Sequence, residues 1–215
     1  MNDNLYNAMA QSIIDGEINQ AAELANRAIA EGIDPLDAIN NGFILGVNTV
    51  GEAFSCGDAF LPELVMAGEA MKAAVEVLEP ELARRGEKRQ VLGVVVLGTV
   101  EGDIHDIGKT LVGTMMSAAG FEVHDLGVDV PIMTLVEKAR QVQADIVAVS
   151  ALLTTTMVKQ RDVVEALEDV GLTDVKVMVG GAPVTRSWME EIGADGYSED
   201  AIGAVAVAKG LLGVA

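Results

Sequence analysis

Hydrophobic positions in this chain follow two rhythms, and the change between them falls near residue 90. In the front part, apolar residues recur every three or four positions, the period of an amphipathic helix. Leu5, Met9 and Ile13 share one face, and Gly16 marks the end of that segment. Ala21 to Ala30 reads as a second helix, closed by Gly32. Asp34-Pro35-Leu36-Asp37 opens a third. Asp34 can accept from the unpartnered N–H groups of a first turn, and Pro35 loses little there because its missing N–H had no helical partner. That helix runs towards Ala53. Leu61-Pro62-Glu63 opens a fourth, running to about Arg85. Four helices with short turns predict a small bundle.

From Gln90 onward, short apolar runs alternate with helical segments. Strands are predicted near 91–97, 122–126, 145–150, 175–179 and 195–197, and helices near 107–119, 132–143, 157–170, 184–192 and 200–212. Val91 to Leu97 is an unbroken apolar run, as expected of a strand buried on both faces. Pro131 and Pro183 read as helix starts. Five βα units predict an α/β fold: a doubly wound, parallel, five-stranded sheet with helices on both faces. The predicted domains are residues 1–86 and 90–215.

Composition narrows the function. The chain has 215 residues, half of them hydrophobic, enough for a real core. Its net charge is −19, from 33 acidic and 14 basic residues. Nucleic-acid binding needs Lys and Arg to displace counterions from phosphates, so no nucleic-acid partner is expected. The single cysteine, Cys56, excludes an internal disulfide and a cysteine-rich zinc site. It reads as a free thiol and fits a reducing compartment. No signal peptide opens the chain and no apolar run reaches membrane-spanning length, so a cytoplasmic protein without a membrane partner is expected. Arg84 to Arg89 is the one dense basic run. It reads as a solvated linker, with a hinge or a docking strip for an acidic partner as the alternative.

The chemistry concentrates on Glu101-Gly102-Asp103-Ile104-His105-Asp106-Ile107-Gly108, between the first strand and its helix. In a parallel sheet, ligands bind where loops leave the carboxyl ends of strands. Two further loops belong to that edge: Ser150 to Thr156, and Val179-Gly180-Gly181-Ala182-Pro183. A histidine two residues after an aspartate can offer one ring nitrogen to a metal and the other to the carboxylate. The hydroxyl-rich loop offers neutral donors and acceptors, and the paired glycines offer backbone without side chains. Alone, Asp-x-His-x-x-Gly also describes a turn histidine ahead of a helix capped by Asp106. One histidine is too few for an all-protein zinc site. If His105 binds metal, a cofactor must supply most of the coordination, and a macrocycle with an axial histidine meets that need. His124 reads as a structural or surface histidine, Trp188 as a packing residue, the methionines as core filler, and Lys109 as a solvated first-turn residue, with cofactor contact as the alternative.

These pieces resemble the cobalamin-binding motif of corrinoid proteins: Asp-x-His-x-x-Gly at Asp103–Gly108, Ser-x-Leu at Ser150–Leu152, and Gly180-Gly181. The gaps between them, 41 and 27 residues, are like the family's. Gly51-Glu52-Ala53-Phe54 and Phe60-Leu61-Pro62-Glu63-Leu64 are similar to the family's helical cap. The resemblance covers nearly the whole chain. It is closest to the corrinoid proteins of methylamine-type methyltransferase systems, and similar to the cobalamin module of methionine synthase.

The resemblance implies a flavodoxin-like cobalamin domain preceded by a four-helix cap domain. It implies His105 as the lower axial ligand of cobalt in place of dimethylbenzimidazole, so that the cofactor is base-off and His-on, cycling between methyl-Co(III) and Co(I). Asp103 is then the partner of the other His105 nitrogen, and Thr156 stands where methionine synthase has a serine continuing that relay. Gly102, Ile104, Asp106 and Gly108 complete the motif around them. Ser150 meets the nucleotide tail, Thr154 lines the same pocket, Leu152 is a cofactor-binding residue of the Ser-x-Leu motif, and Gly180 and Gly181 make room for the tail. Phe54, Leu61 and Leu64 match the apolar cover over the methyl-bearing face. The implied function is a corrinoid methyl carrier, a component and not a complete enzyme, with no catalytic residue of its own. Its implied partners are a substrate:corrinoid methyltransferase, a corrinoid:acceptor methyltransferase serving a pterin or thiol, and a reductive activator. Methylamines, betaine, methanol and aryl methyl ethers remain open as donors. The alternatives are an adenosylcobalamin-dependent mutase subunit, which needs more room above cobalt than an apolar cap leaves, a cobalamin-sensing regulator, and a flavin-binding electron carrier.

Overall fold

The computed structural model describes residues 2–85 and 91–214. It divides into two compact units. One comprises residues 1–90 with 117–119, the other 91–116 with 120–215.

The first unit is helical. It contains α1 (Asn2–Ile14), α2 (Ile18–Ala30), α3 (Pro35–Ala38), α4 (Ile44–Cys56) and α5 (Leu61–Arg85). A π-helical turn, Ile39–Phe43, joins α3 to α4, so together they make the third of the four expected helices. The caps follow the sequence. Asp34 accepts from Leu36 N at 2.9 Å with Pro35 next to it, and Gly16 and Gly32 take the left-handed backbone that ends a helix. Leu5, Met9 and Ile13 are all buried. Glycines bring α1 and α4 together: a Cβ on Gly46 would overlap the Ala10 carbonyl and come within 2.7 Å of Ile13 Cβ. Of the basic run, Arg84 and Arg85 end α5 and pair with Glu81, and Arg85 also reaches Asp34. Residues 86–89 of that run lie outside the described residues.

The second unit is a five-stranded, all-parallel sheet in the order β2-β1-β3-β4-β5. The strands are β1 (Val94–Thr99), β2 (Glu122–Asp125), β3 (Ile146–Ser150), β4 (Lys176–Gly180) and β5 (Gly196–Tyr197). The helices are α6 (Ile107–Ala118), α7 (Ile132–Val142), α8 (Thr154–Met157), α9 (Lys159–Asp169), α10 (Arg186–Ile192) and α11 (Ala201–Leu212). This is the flavodoxin-like order, whose switch point falls between β1 and β3. Val95, Val96, Ile146 and Val147 are buried, as expected of strands covered on both faces.

Three boundaries differ from expectation. Strand β1 starts later and runs through Gly98 and Thr99, because these pair with Val149 and Ser150 after the apolar run has ended. The helical stretch after β3 begins at Thr154 and breaks near Val158. Pro183 does not open α10: Thr185 caps it, accepting from Trp188 N, and Val184 is buried ahead of the cap.

Candidate functional site

All the chemistry sits at the carboxyl edge of the sheet, on both sides of the switch point. Strand β1 delivers Asp103 and His105, and Asp103 is the hub. Its Oδ1 accepts from His105 Nδ1 at 2.6 Å and from His105 N at 3.1 Å. Its Oδ2 accepts from the Thr156 hydroxyl at 2.6 Å and from Leu152 N at 2.8 Å, both on the segment after β3. The Asp103 side chain has no solvent exposure. Burial pushes its carboxyl up, but the Thr156 hydroxyl, the Leu152 N–H and the His105 donors outweigh this and hold it well below the usual carboxylate range. An ionised Asp103 accepts only, so the hydrogen belongs on His105 Nδ1. In the neutral ring the lone pair is then on Nε2, which makes no hydrogen bond among the described residues.

His105 stands at a cleft of about 610 Å³ contained within the second unit. Of the residues singled out in the sequence, Ile104, His105, Asp106, Gly108, Ser150, Leu152, Gly180 and Gly181 line it. Asp103 and Thr156 are buried and do not line the cleft. Gly102 and Thr154 are exposed and do not line the cleft, and the Asp106 side chain makes no cap bond among the described residues. The Ser150 hydroxyl is likewise without a hydrogen bond there. The paired glycines differ. A Cβ on Gly180 would meet only Ser198 O, at 3.7 Å, so its missing side chain leaves usable space. Gly181 has φ +122 and a Cβ there would overlap the Ala151 carbonyl, so the close approach of two loops already demands glycine. Ile104 and Ile107 are 74% and 87% exposed, an apolar rim that needs a cover. Phe54, Leu61 and Leu64 belong to the helical unit, where Leu64 is buried and Leu61 is 39% exposed.

Sequence reasoning misses several residues. The loop after β5 supplies Ser198, Glu199 and Asp200 to the cleft, though the same edge rule applies to it. Lys109 is a correction: it is buried and lines the cleft, because Asp125 at the end of β2 receives its ammonium at 2.6 Å. Gln160 is fully buried, donates to Val149 O and Gly180 O at 3.0 Å each, and accepts from Trp188 Nε1. His124 bonds Glu122 on the edge strand, consistent with a structural role.

The described residues contain no group of three or more His, Cys, Asp or Glu that could hold a metal ion. A metal here must arrive with most of its coordination already filled. One free imidazole nitrogen, an apolar rim and a cleft wall relieved by glycine fit a large planar metallo-cofactor.

The fold and this edge define a flavodoxin-like cofactor-binding domain with one outward histidine. A B12 binding domain model matches residues 93–206 and a second model, also described as a B12 binding domain, matches residues 5–79; the chain belongs to the B12-binding family and its cofactor is a corrinoid. A corrinoid protein of Desulfitobacterium hafniense is 47% identical over 211 residues, 97% of this chain and 98% of its own length. The trimethylamine corrinoid protein of Methanosarcina barkeri is 49% identical over 205 residues, 95% and 94% of the two chains. Among solved structures, the methanol:cobalamin methyltransferase complex of Methanosarcina barkeri matches with TM-score 0.89 at 30% identity, covering 99% of this chain and 81% of that one. No helix among the described residues is long and apolar enough to cross a membrane.

Proposed function

We propose that this chain is a corrinoid methyl carrier in which His105 is the lower axial ligand of cobalt. The observation that carries it is that His105 lines the cleft with Nδ1 fixed on Asp103, which leaves Nε2 without a hydrogen bond among the described residues. The cofactor, when bound, supplies a metal that is strongly nucleophilic when reduced and can hold and release a methyl group. The protein's part is to bind and tune it. Asp103 keeps the proton on Nδ1 and makes Nε2 more basic, and Thr156 steadies Asp103 through its hydroxyl. Ser150 meets the polar tail of a base-off cofactor, Gly180 leaves space for it, and Leu152, Ile104 and Ile107 support the macrocycle. Asp106, Gly108 and Gly181 belong to the same site, Gly181 chiefly by letting its loop pass Ala151, whereas Gly102 and Thr154 stand on its loops outside the cleft lining.

Residues 1–86 are proposed as the helical cap domain of the family and residues 90–215 as the cobalamin domain, with Phe54, Leu61 and Leu64 as the residues that exclude water from the methyl group. The cap must move for partners to reach that group. Those partners are a methyltransferase that loads the methyl, a second that removes it, and a reductive activator, all in the cytoplasm. Relatives with high identity are named for trimethylamine and dimethylamine, which puts methylamines first among donors.

Electron paramagnetic resonance of the Co(II) protein, labelled with ¹⁵N in its histidines, tests the core of this reading. Coupling that changes with the label is expected, and its loss in His105→Ala assigns it. A pattern indifferent to the label excludes histidine as the axial ligand.

A further inference from the structure

We propose that Thr99 and Asp129 form a clamp on the main chain that fixes where His105 presents Nε2. It bears on cobalt through the axial role of His105 proposed above, and both are positioning residues, since neither lines the cleft. Asp103 orients the imidazole, but a ring is only as fixed as the backbone that carries it. Residues 101–106 belong to no helix or strand. They depend on hydrogen bonds from outside.

Thr99, the last residue of β1, is fully buried, and its Oγ1 donates to His105 O at 2.8 Å. This bond ties the far end of the loop to its root. Asp129, on the loop after β2, holds the middle. Its N donates to Asp103 O at 2.9 Å, and its Oδ1 accepts from Gly102 N at 2.7 Å. Both Gly102 and Asp129 take left-handed backbone, at φ +83 and φ +52. Glycine does so freely. For aspartate it is uncommon, and a residue held there is over-determined by its surroundings. Asp129 makes no ion pair among the described residues, so its recorded hydrogen bonds, from carboxylate and main chain alike, go to the histidine loop. Because β1 lies between β2 and β3, the loop is gripped from both neighbours: Asp129 on the β2 side, and Leu152 and Thr156 on the β3 side.

Thr99→Val keeps the shape and removes the hydroxyl, and Thr99→Ser restores it. Asp129→Gly keeps the left-handed backbone and removes the carboxylate, and Asp129→Asn restores an acceptor. In protein free of cofactor, exchange of the His105 Nδ1 proton, followed by NMR, is expected to be faster in Thr99→Val and Asp129→Gly than in the parent. With cobalamin, the same variants are expected to bind about 10-fold more weakly and to show reduced ¹⁵N coupling in the Co(II) spectrum. Thr99→Ser and Asp129→Asn are expected to recover most of both. Asp129 sits on an exposed loop, so its variants report even if Thr99→Val disturbs the sheet. Unchanged proton exchange and affinity in Thr99→Val and Asp129→Gly would overturn the clamp. A parent protein without ¹⁵N coupling would sink the axial-ligand reading instead, while exchange in the cofactor-free protein would still decide whether the clamp exists.

Discussion

Asp103 carries a charge where burial opposes it, and that conflict has a consequence for stability. Its folded pKa lies below its unfolded value, so the stability it contributes is fully present above the unfolded pKa of about 4 and is lost as pH falls below it. Asp103→Asn removes that titration. Urea unfolding across a pH series is expected to show a shallower acid slope for the variant below about pH 4, and a loss at pH 7 of about 1.5–3 kcal/mol from hydrogen bonds that no longer end on a charge. Cobalamin affinity is expected to fall roughly 10–100-fold, less than in His105→Ala. The glycines separate at the same scale. Gly180→Ala meets only Ser198 O, at ordinary contact distance, and is expected to keep the parental unfolding midpoint while weakening cobalamin binding. Gly181→Ala meets the Ala151 backbone at a positive φ and is expected to destabilise by more than about 1 kcal/mol with or without cofactor. Equal stability of the two variants would contradict this division.

Elements were legible where one kind of force sets their limits. Leu5, Met9 and Ile13 announce α1 because a single face is buried, and Asp34-Pro35 announces α3 because a cap is a local hydrogen bond. Limits set by distant partners were not legible. Gly98 and Thr99 are strand only because Val149 and Ser150 lie beside them. Thr154 to Met157 are helical with a Thr156 hydroxyl anchored 53 residues away, which no periodicity records. The π-helical turn is invisible for the same reason: its glycine, Gly42, packs on Met9 of another helix. Close packing of α1 on α4 also gives an element-scale test. Gly46→Ala raises helix propensity but drives a methyl into Ala10 and Ile13. A net loss of about 1–3 kcal/mol in chemical denaturation is expected, the usual cost of overpacking. A gain would mean that α1 and α4 part easily.

For the whole molecule, the alternation of strands and helices gave the parallel sheet, and the loops at its carboxyl edge gave the site. His105 and Ser150 could be proposed from sequence because their chemistry is on their own side chains, and Gly180 because it has none. Lys109 and Asp129 could not, since what they do depends on which loops the strand order β2-β1-β3 sets beside one another. That order has one more effect. The carboxylate of Asp103 takes hydrogen bonds from residues 49 and 53 positions further along, across the β1–β3 boundary. It therefore staples two loops as well as steering an imidazole. Any opening that separates the loops releases the histidine's partner in the same event. The Leu152 amide is one leg of that staple and can be followed without cofactor, label or partner enzyme. Its deuterium uptake is expected to slow when cobalamin is added and to quicken when Thr156 becomes Val. A single backbone proton would thus serve as a gauge of whether the site is assembled.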